Sequence, residues 1–332
     1  MQYNRTLLVL ISSESCLHKV SSDSLNDFQT MNRKLKNISW VNKRFKQSSV
    51  WVLVFGIMAG CSPKEESLGE GDTEGHLLIG TITAVDEAAS LLEVAHEEIP
   101  DLMPAMTMKF EVSAGDLKNG KEGQKIRARL TRDENGAFQL IKIWPLDEQV
   151  SNDLKRVNQR LQEQAKGLPS GYHYGEGDES PDFALLDQFG EVVTNDQFSG
   201  KPLMLNFIFT RCADANMCPL STSKMAQLQK LAQASALDVN FVSITLDPQY
   251  DTPGVLRQYA EAYGIDGSNF KFVTGPKSAV RDLVKSHGVT SIDKVDTIMH
   301  SLATVLIDED GTIAKRSDKS AWTPEEFLEI LR

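Results

Sequence analysis

Two thiols lie close together in Cys212-Ala-Asp-Ala-Asn-Met-Cys218-Pro219, and His300 stands far downstream in Met299-His300-Ser301. Reduced and held together, two such sulfurs are soft donors that select Cu(I), with an imidazole nitrogen as a third ligand. Oxidised, they form a disulfide at the mouth of a helix, and as buried thiols they would be small hydrophobes.

The elements that must position them are legible. Leu203 to Phe209 is a continuous apolar run, read as a buried strand. Pro219 opens a stretch in which Leu220, Met225, Leu228, Leu231 and Ala232 recur at helical spacing. Cys218 is therefore expected at a helix N-terminus, where exposed N–H groups and the macrodipole favour thiolate. His300 borders the apolar run Leu302 to Ile307, a setting that also suits a hydrogen-bonded core histidine. Asp247, Asp251 and Thr252 precede Pro253 and read as structural, with a side-chain cap before the proline.

At these residues the chain resembles the Sco/SenC family of copper proteins, over roughly Gly175 to Arg332. The segments that carry the likeness are Pro181-Asp-Phe183, Phe207-Ile-Phe-Thr-Arg-Cys212, Cys218-Pro219, Ile244-Thr-Leu-Asp-Pro248, Asp251-Thr-Pro253, His300-Ser-Leu-Ala303 and Leu306-Ile-Asp-Glu-Asp-Gly311. The resemblance implies that Cys212, Cys218 and His300 bind copper. The commoner family spacing places three residues between the cysteines, where this chain has five.

A second constellation lies upstream: His96, then Met103-Pro-Ala-Met106-Thr-Met108. Strand alternation places Met106, Met108, Phe110 and Val112 on one face, as an ordinary barrel core also would. Thioethers are nevertheless soft donors suited to Cu(I). From His76 to Ile143 the chain is similar to the CusF-type periplasmic copper-binding domain, a five-stranded barrel of the oligonucleotide-binding type. That likeness implies His96, Met106 and Met108 as copper ligands. CusF has a tryptophan packed over the metal where this chain has Met103, which is read as a third thioether donor.

Arg33, Lys34, Lys36, Lys43, Arg44 and Lys46 precede an eleven-residue apolar run, Val50 to Gly60, which has signal-peptide proportions and is too short to span a bilayer. Met58-Ala-Gly-Cys61 resembles a bacterial lipobox, which makes Cys61 the expected lipidated residue. Residues 1 to 30 fit no signal-peptide region, so Met31 is a candidate start.

The chain has 35 basic and 46 acidic side chains, a net of −11; beyond residue 61 the counts are 27 and 43, a net of −16. Such an acidic protein is a poor ligand for nucleic acid. Of four cysteines, Cys16 lies in the leader and Cys61 in the lipobox, so Cys212 and Cys218 are a single pair and no disulfide framework exists.

The expected organisation is a leader and lipoprotein signal over 1–61, a flexible tether over 62–75, a CusF-like all-β barrel over 76–146, a connecting helix and linker over 147–176, and an α/β domain over 177–332. In the connecting helix Val150, Leu154, Val157 and Leu161 form one apolar stripe. Alternating strands and helices from Pro181 onward, ending in a hairpin, imply a mixed sheet in an α/β sandwich, the thioredoxin-like layout of the Sco family.

The function expected from this reading is that of a copper chaperone tethered to the bacterial cell envelope and facing the periplasm. By resemblance, its partner is the copper-site subunit of cytochrome c oxidase. The alternative is an extracytoplasmic thiol-disulfide reductase, with Cys212 and Cys218 as its redox pair, acting on a partner's copper-ligand cysteines. A thioredoxin-type enzyme usually has two residues between its cysteines and a facing cis-proline, whereas here no proline lies between Pro276 and Pro324. A thiol peroxidase would need a motif that Thr210 alone does not supply.

Overall fold

The computed structural model of the chain describes residues 75–294 and 297–332, with the side chains of 148–150 left aside. The expected leader, Cys61 and nearly all of the expected tether lie outside the described residues. Among the described residues no helix is long and apolar enough to cross a membrane.

Five strands close a barrel of the oligonucleotide-binding type in the order β1-β2-β3-β5-β4: β1 (His76–Asp86), β2 (Leu91–His96), β3 (Met106–Glu111), β4 (Lys125–Arg132) and β5 (Phe138–Pro145). Alternation of apolar residues sets its inside. Leu92 and Val94 of β2, Ile126 and Leu130 of β4, and Phe110 of β3 are all buried in one cluster. A short helix, α1 (Ala114–Asn119), capped by Ser113, was not anticipated from the sequence.

Helix α2 (Glu148–Gly167) follows, and its buried Leu154 and Val157 pack with Trp144, Ala184 and Leu186, so it is seated on the protein as the apolar stripe implied. The second half is a thioredoxin-like sandwich. Its sheet contains β6 (Ala184–Asp187), β7 (Val192–Thr194), β8 (Leu203–Ile208), β9 (Asn240–Thr245), β10 (Phe270–Thr274), β13 (Thr304–Ile307) and β14 (Ile313–Ser317), ordered β14-β13-β8-β9-β10-β6-β7. Strands β8, β9 and β10 run parallel, and β13 returns antiparallel to β8. Every residue of β8 is buried, including Asn206, whose amide donates to the Ser221 hydroxyl (2.9 Å) and accepts from the Ser243 hydroxyl (2.6 Å). The helices are α3 (Cys218–Ala234), α4 (Pro253–Ala262), α5 (Lys277–Ser286) and α6 (Pro324–Ile330). A separate two-stranded hairpin, β11 (Ser291–Asp293) and β12 (Ile298–His300), carries His300 and was not anticipated from the sequence, where only the apolar run from Leu302 was evident.

The barrel is joined to the sandwich through α1 and α4. The two helices cross at Gly115 and Gly254, where a Cβ on either would overlap the other helix. Gln258 of α4, with its amide turned to face α1, accepts from the backbone N–H groups of Ala114 (3.1 Å) and Gly115 (2.9 Å). Arg257 donates to the Lys118 carbonyl (2.9 Å) and to Asn119 Oδ1 (2.8 Å), and Asn119 donates to the Gln188 carbonyl (2.9 Å).

Asp116 is buried in this joint. Burial pushes its carboxyl up from 3.8 to about 6, against the lowering effect of the Ser113 hydroxyl. The folded chain therefore binds a proton there that the unfolded chain releases, and the associated stability is fully present below pH 3.8 and lost as pH rises through about 6. Asp116→Asn should gain on the wild type by up to about 1.4 kcal/mol per pH unit across that window. Urea unfolding of both proteins from pH 4 to 7 measures this, and parallel profiles would contradict it.

Candidate metal centre

The strand β8 delivers the chain through Phe209 and Thr210 into the cysteine loop, and α3 receives it at Cys218. The donor atoms of Cys212, Cys218 and His300 lie within 4.8 Å of one another, so the five-residue loop does fold the two sulfurs together. Both cysteines are free thiols, Cys212 partly accessible and Cys218 buried. His300 comes from β12, whose pairing with β11 (Ser291 opposite His300) brings it over the loop. Its Nδ1–H donates to the Ser301 carbonyl (2.9 Å), which leaves Nε2 with its lone pair 3.4 Å from Cys218 Sγ. Burial holds the His300 pKa below the ordinary value, which keeps the imidazole neutral and available as a donor. The rings of Phe209 and His300 are nearly perpendicular, with centroids 5.4 Å apart.

One electrostatic expectation is overturned. The helix N-terminus was expected to favour the Cys218 thiolate, but burial raises this thiol well above its usual range, despite the opposing backbone hydrogen bond at Phe209. Removing the sulfur from water outweighs a helix-end effect of about 1 kcal/mol. The metal-free Cys218 is thus a protonated thiol, and a soft cation is what would displace its proton.

The loop is braced from below by residues read from the sequence only as a helix entry. Asp251 accepts from the Thr210 amide (3.2 Å), the Thr210 hydroxyl and the Thr245 hydroxyl (2.5 Å). Burial raises its carboxyl to about 6, while those hydrogen bonds pull it down. Thr252 is the α4 cap, accepting from the Val255 amide (3.4 Å). Arg211 pairs with Asp247 at 2.6 Å and stacks on Tyr250, with its guanidinium 4.2 Å from the ring centre. The sequence signal for this brace was Thr210 and Asp251 flanking the cysteine loop and α4, with nothing to pair them.

In the barrel, β2 and β3 place His96 directly opposite Met106, and Met108 opposite Val94. His96 is 3% exposed; its Nδ1–H donates to the Glu97 carbonyl (2.7 Å), and its buried Nε2 has no hydrogen-bond partner among the described residues. A buried nitrogen left without a hydrogen bond is costly unless something else binds it, and a cation held with nearby thioethers fits that vacancy in chemistry. The shared face runs from buried Phe110 through half-buried Met108 to Met106, which is 46% exposed, so the methionines climb out of the core toward the rim. Met103 is partly buried on the barrel core and bridges to Ile99.

Residues 173–332 match the SCO1/SenC family model, and residues 75–145 match that of the copper binding periplasmic protein CusF. The SCO2-like protein RC0895 of Rickettsia conorii is 31% identical over 159 residues, which cover 46% of this chain and 74% of that one. The chain belongs to the SCO1/SenC family. Among solved structures, copper-bound ScoI of Bradyrhizobium japonicum is 27% identical, covering 46% of this chain and 98% of that one at a TM-score of 0.40. BsSco, described as a member of the Sco family of cytochrome c oxidase assembly proteins, is 27% identical, covering 48% and 94% at a TM-score of 0.42. This Sco protein thus carries a thioredoxin-like domain and a CusF-type barrel, and copper is its metal.

Proposed function

We propose that the chain is a lipid-anchored copper chaperone of the bacterial cell envelope, which holds Cu(I) through Cys212, Cys218 and His300 and supplies the copper site of cytochrome c oxidase. The observation that carries this reading is the convergence of two thiols and one neutral imidazole within 4.8 Å. Copper is cargo in this scheme. The thiols give up their protons as it arrives, and His300 Nε2, already oriented by its bond to Ser301, completes the set. The solved relative described with oxidase assembly proteins supports the choice of client. The barrel is a second cargo site, with His96, Met103, Met106 and Met108 as donors. Residues 62–75 are the tether that carries both domains away from a membrane held through Cys61.

His300→Ala separates copper handling from thiol chemistry, because it deletes a metal donor and leaves both sulfurs. Oxidase maturation should be lost under copper limitation, while reduction of a disulfide substrate stays near the wild-type rate. Normal maturation by this variant would instead favour the thiol-disulfide reductase, with Cys212 and Cys218 as its redox pair. The anchor has its own test: fatty-acid labelling should be present in the wild type and absent in Cys61→Ser, and an unlabelled wild type refutes lipidation.

A further inference from the structure

Helix α5 carries Lys277, Arg281 and Lys285 at four-residue spacing, which sets three cations in one row about 12 Å long. All three line a cleft of about 800 Å³, together with the segment Leu168 to His173 and with Thr290 and Ser291 of the hairpin that carries His300. Among the described residues that line this cleft, Asp293 is the one carboxylate, 3.6 Å from Lys277. Arg281 has its sequence neighbour Asp282 at 3.6 Å, and Lys285 donates to the Ala165 carbonyl (3.2 Å). A basic cleft of this kind stands out on a chain whose net charge is −11.

The chain enters the barrel beside this row. Leu77 shares a small crevice with Arg127, Arg129, Lys142 and Gln249, and no carboxylate is among the described residues that line it. Gln249 in turn accepts from Lys277 Nζ (3.1 Å), the first cation of the α5 row. Immediately upstream, the ten residues Glu65 to Glu74 hold five carboxylates, Glu65, Glu66, Glu70, Asp72 and Glu74, and no basic side chain. Glu74 precedes Leu77 by three residues, at most about 10 Å of chain. Fully extended, ten residues span up to ~33 Å, enough to run from the crevice along the whole α5 row.

Connectivity decides which acidic segment takes the cleft. Single surface ion pairs are worth little, so a free acidic peptide would bind here weakly. A segment joined to the fold a few residues away arrives at an effective concentration on the order of millimolar, and several weak pairs then act together. We propose that residues 65–74 dock in cis on this surface, their carboxylates running from the Leu77 crevice to Lys277, Arg281 and Lys285. The docking is electrostatic and reversible. With Cys61 as the anchor proposed above, it draws the free tether in to residues 62–64; the docking itself does not depend on that anchor.

The test is zero-length carbodiimide cross-linking of the full chain at about 10 mM salt, with unlabelled and ¹⁵N-labelled chain mixed in equal amounts. Mass spectrometry is expected to find carboxyls of residues 65–74 joined to the amines of Lys277 or Lys285, both ends from one isotope. These links should fall several-fold at about 0.5 M salt and in Arg281→Glu. In a second measurement the segment is neutralised by Glu65→Gln, Glu66→Gln, Glu70→Gln, Asp72→Asn and Glu74→Gln together. Acetylation of Lys277 and Lys285 by a small reagent is then expected to rise several-fold. Links that join labelled to unlabelled chain assign the cleft to a second copy and overturn docking in cis. It is equally overturned by absent links, by links of the segment confined to other lysines, by links insensitive to salt and to Arg281→Glu, or by unchanged acetylation in the neutralised chain.

Discussion

Asp251→Ala is expected to destabilise the chain by about 2–4 kcal/mol, because it strands the Thr210 amide and hydroxyl and the Thr245 hydroxyl that the carboxyl now satisfies. Thr210 is two residues before Cys212, so the same change should loosen the cysteine loop and weaken copper retention even where the domain stays folded. Urea unfolding gives the first effect and competition with a Cu(I) chelator under native conditions gives the second. Wild-type stability together with wild-type copper affinity would show that the brace has no such role.

His300→Ala is expected to cost only about 1–2 kcal/mol of stability, since His300 is buried against Phe209 and beside Cys218 but its ring makes a single backbone hydrogen bond. Its effect on copper should be large, at least about 100-fold in affinity, because changes even to the groups that only orient a metal ligand cost about 10–100-fold. His96→Ala provides the matching contrast. It should lower the copper capacity of the barrel while the thiol pocket keeps its ion. Equal copper capacity in wild type, His300→Ala and His96→Ala would show that neither imidazole is a donor.

What the sequence showed of this fold follows from where burial is complete. Leu203 to Ile208 is buried at every position, and Pro219 marks the first turn of α3, so the strand, the loop and the helix could be read with the cysteines already in place. The hairpin that carries His300 could not. Ser291–Asp293 is exposed throughout and only three residues long, which leaves no hydrophobic period to read. The α1–α4 joint was equally hidden, because its close crossing depends on Gly115 and Gly254, residues of separate domains with no side chains to advertise a contact. The ionisation of Cys218 was misjudged for a related reason: its place on the helix was legible, but its complete burial was not. Asp251 stood beside a good helix cap in the sequence, and only the tertiary fold turns its carboxyl toward Thr210 and Thr245.

Cys212, Cys218 and His300 are proposed to hold one copper ion together. X-ray absorption at the copper edge tests it on the reduced chain loaded with one Cu(I), with the barrel donors removed by His96→Ala, Met103→Leu, Met106→Leu and Met108→Leu. One bound ion with two sulfur neighbours and one nitrogen neighbour is expected, the sulfurs lost in Cys212→Ser/Cys218→Ser and the nitrogen lost in His300→Ala. An ion whose neighbours are unchanged by those substitutions, or a chain that retains no copper, would contradict it.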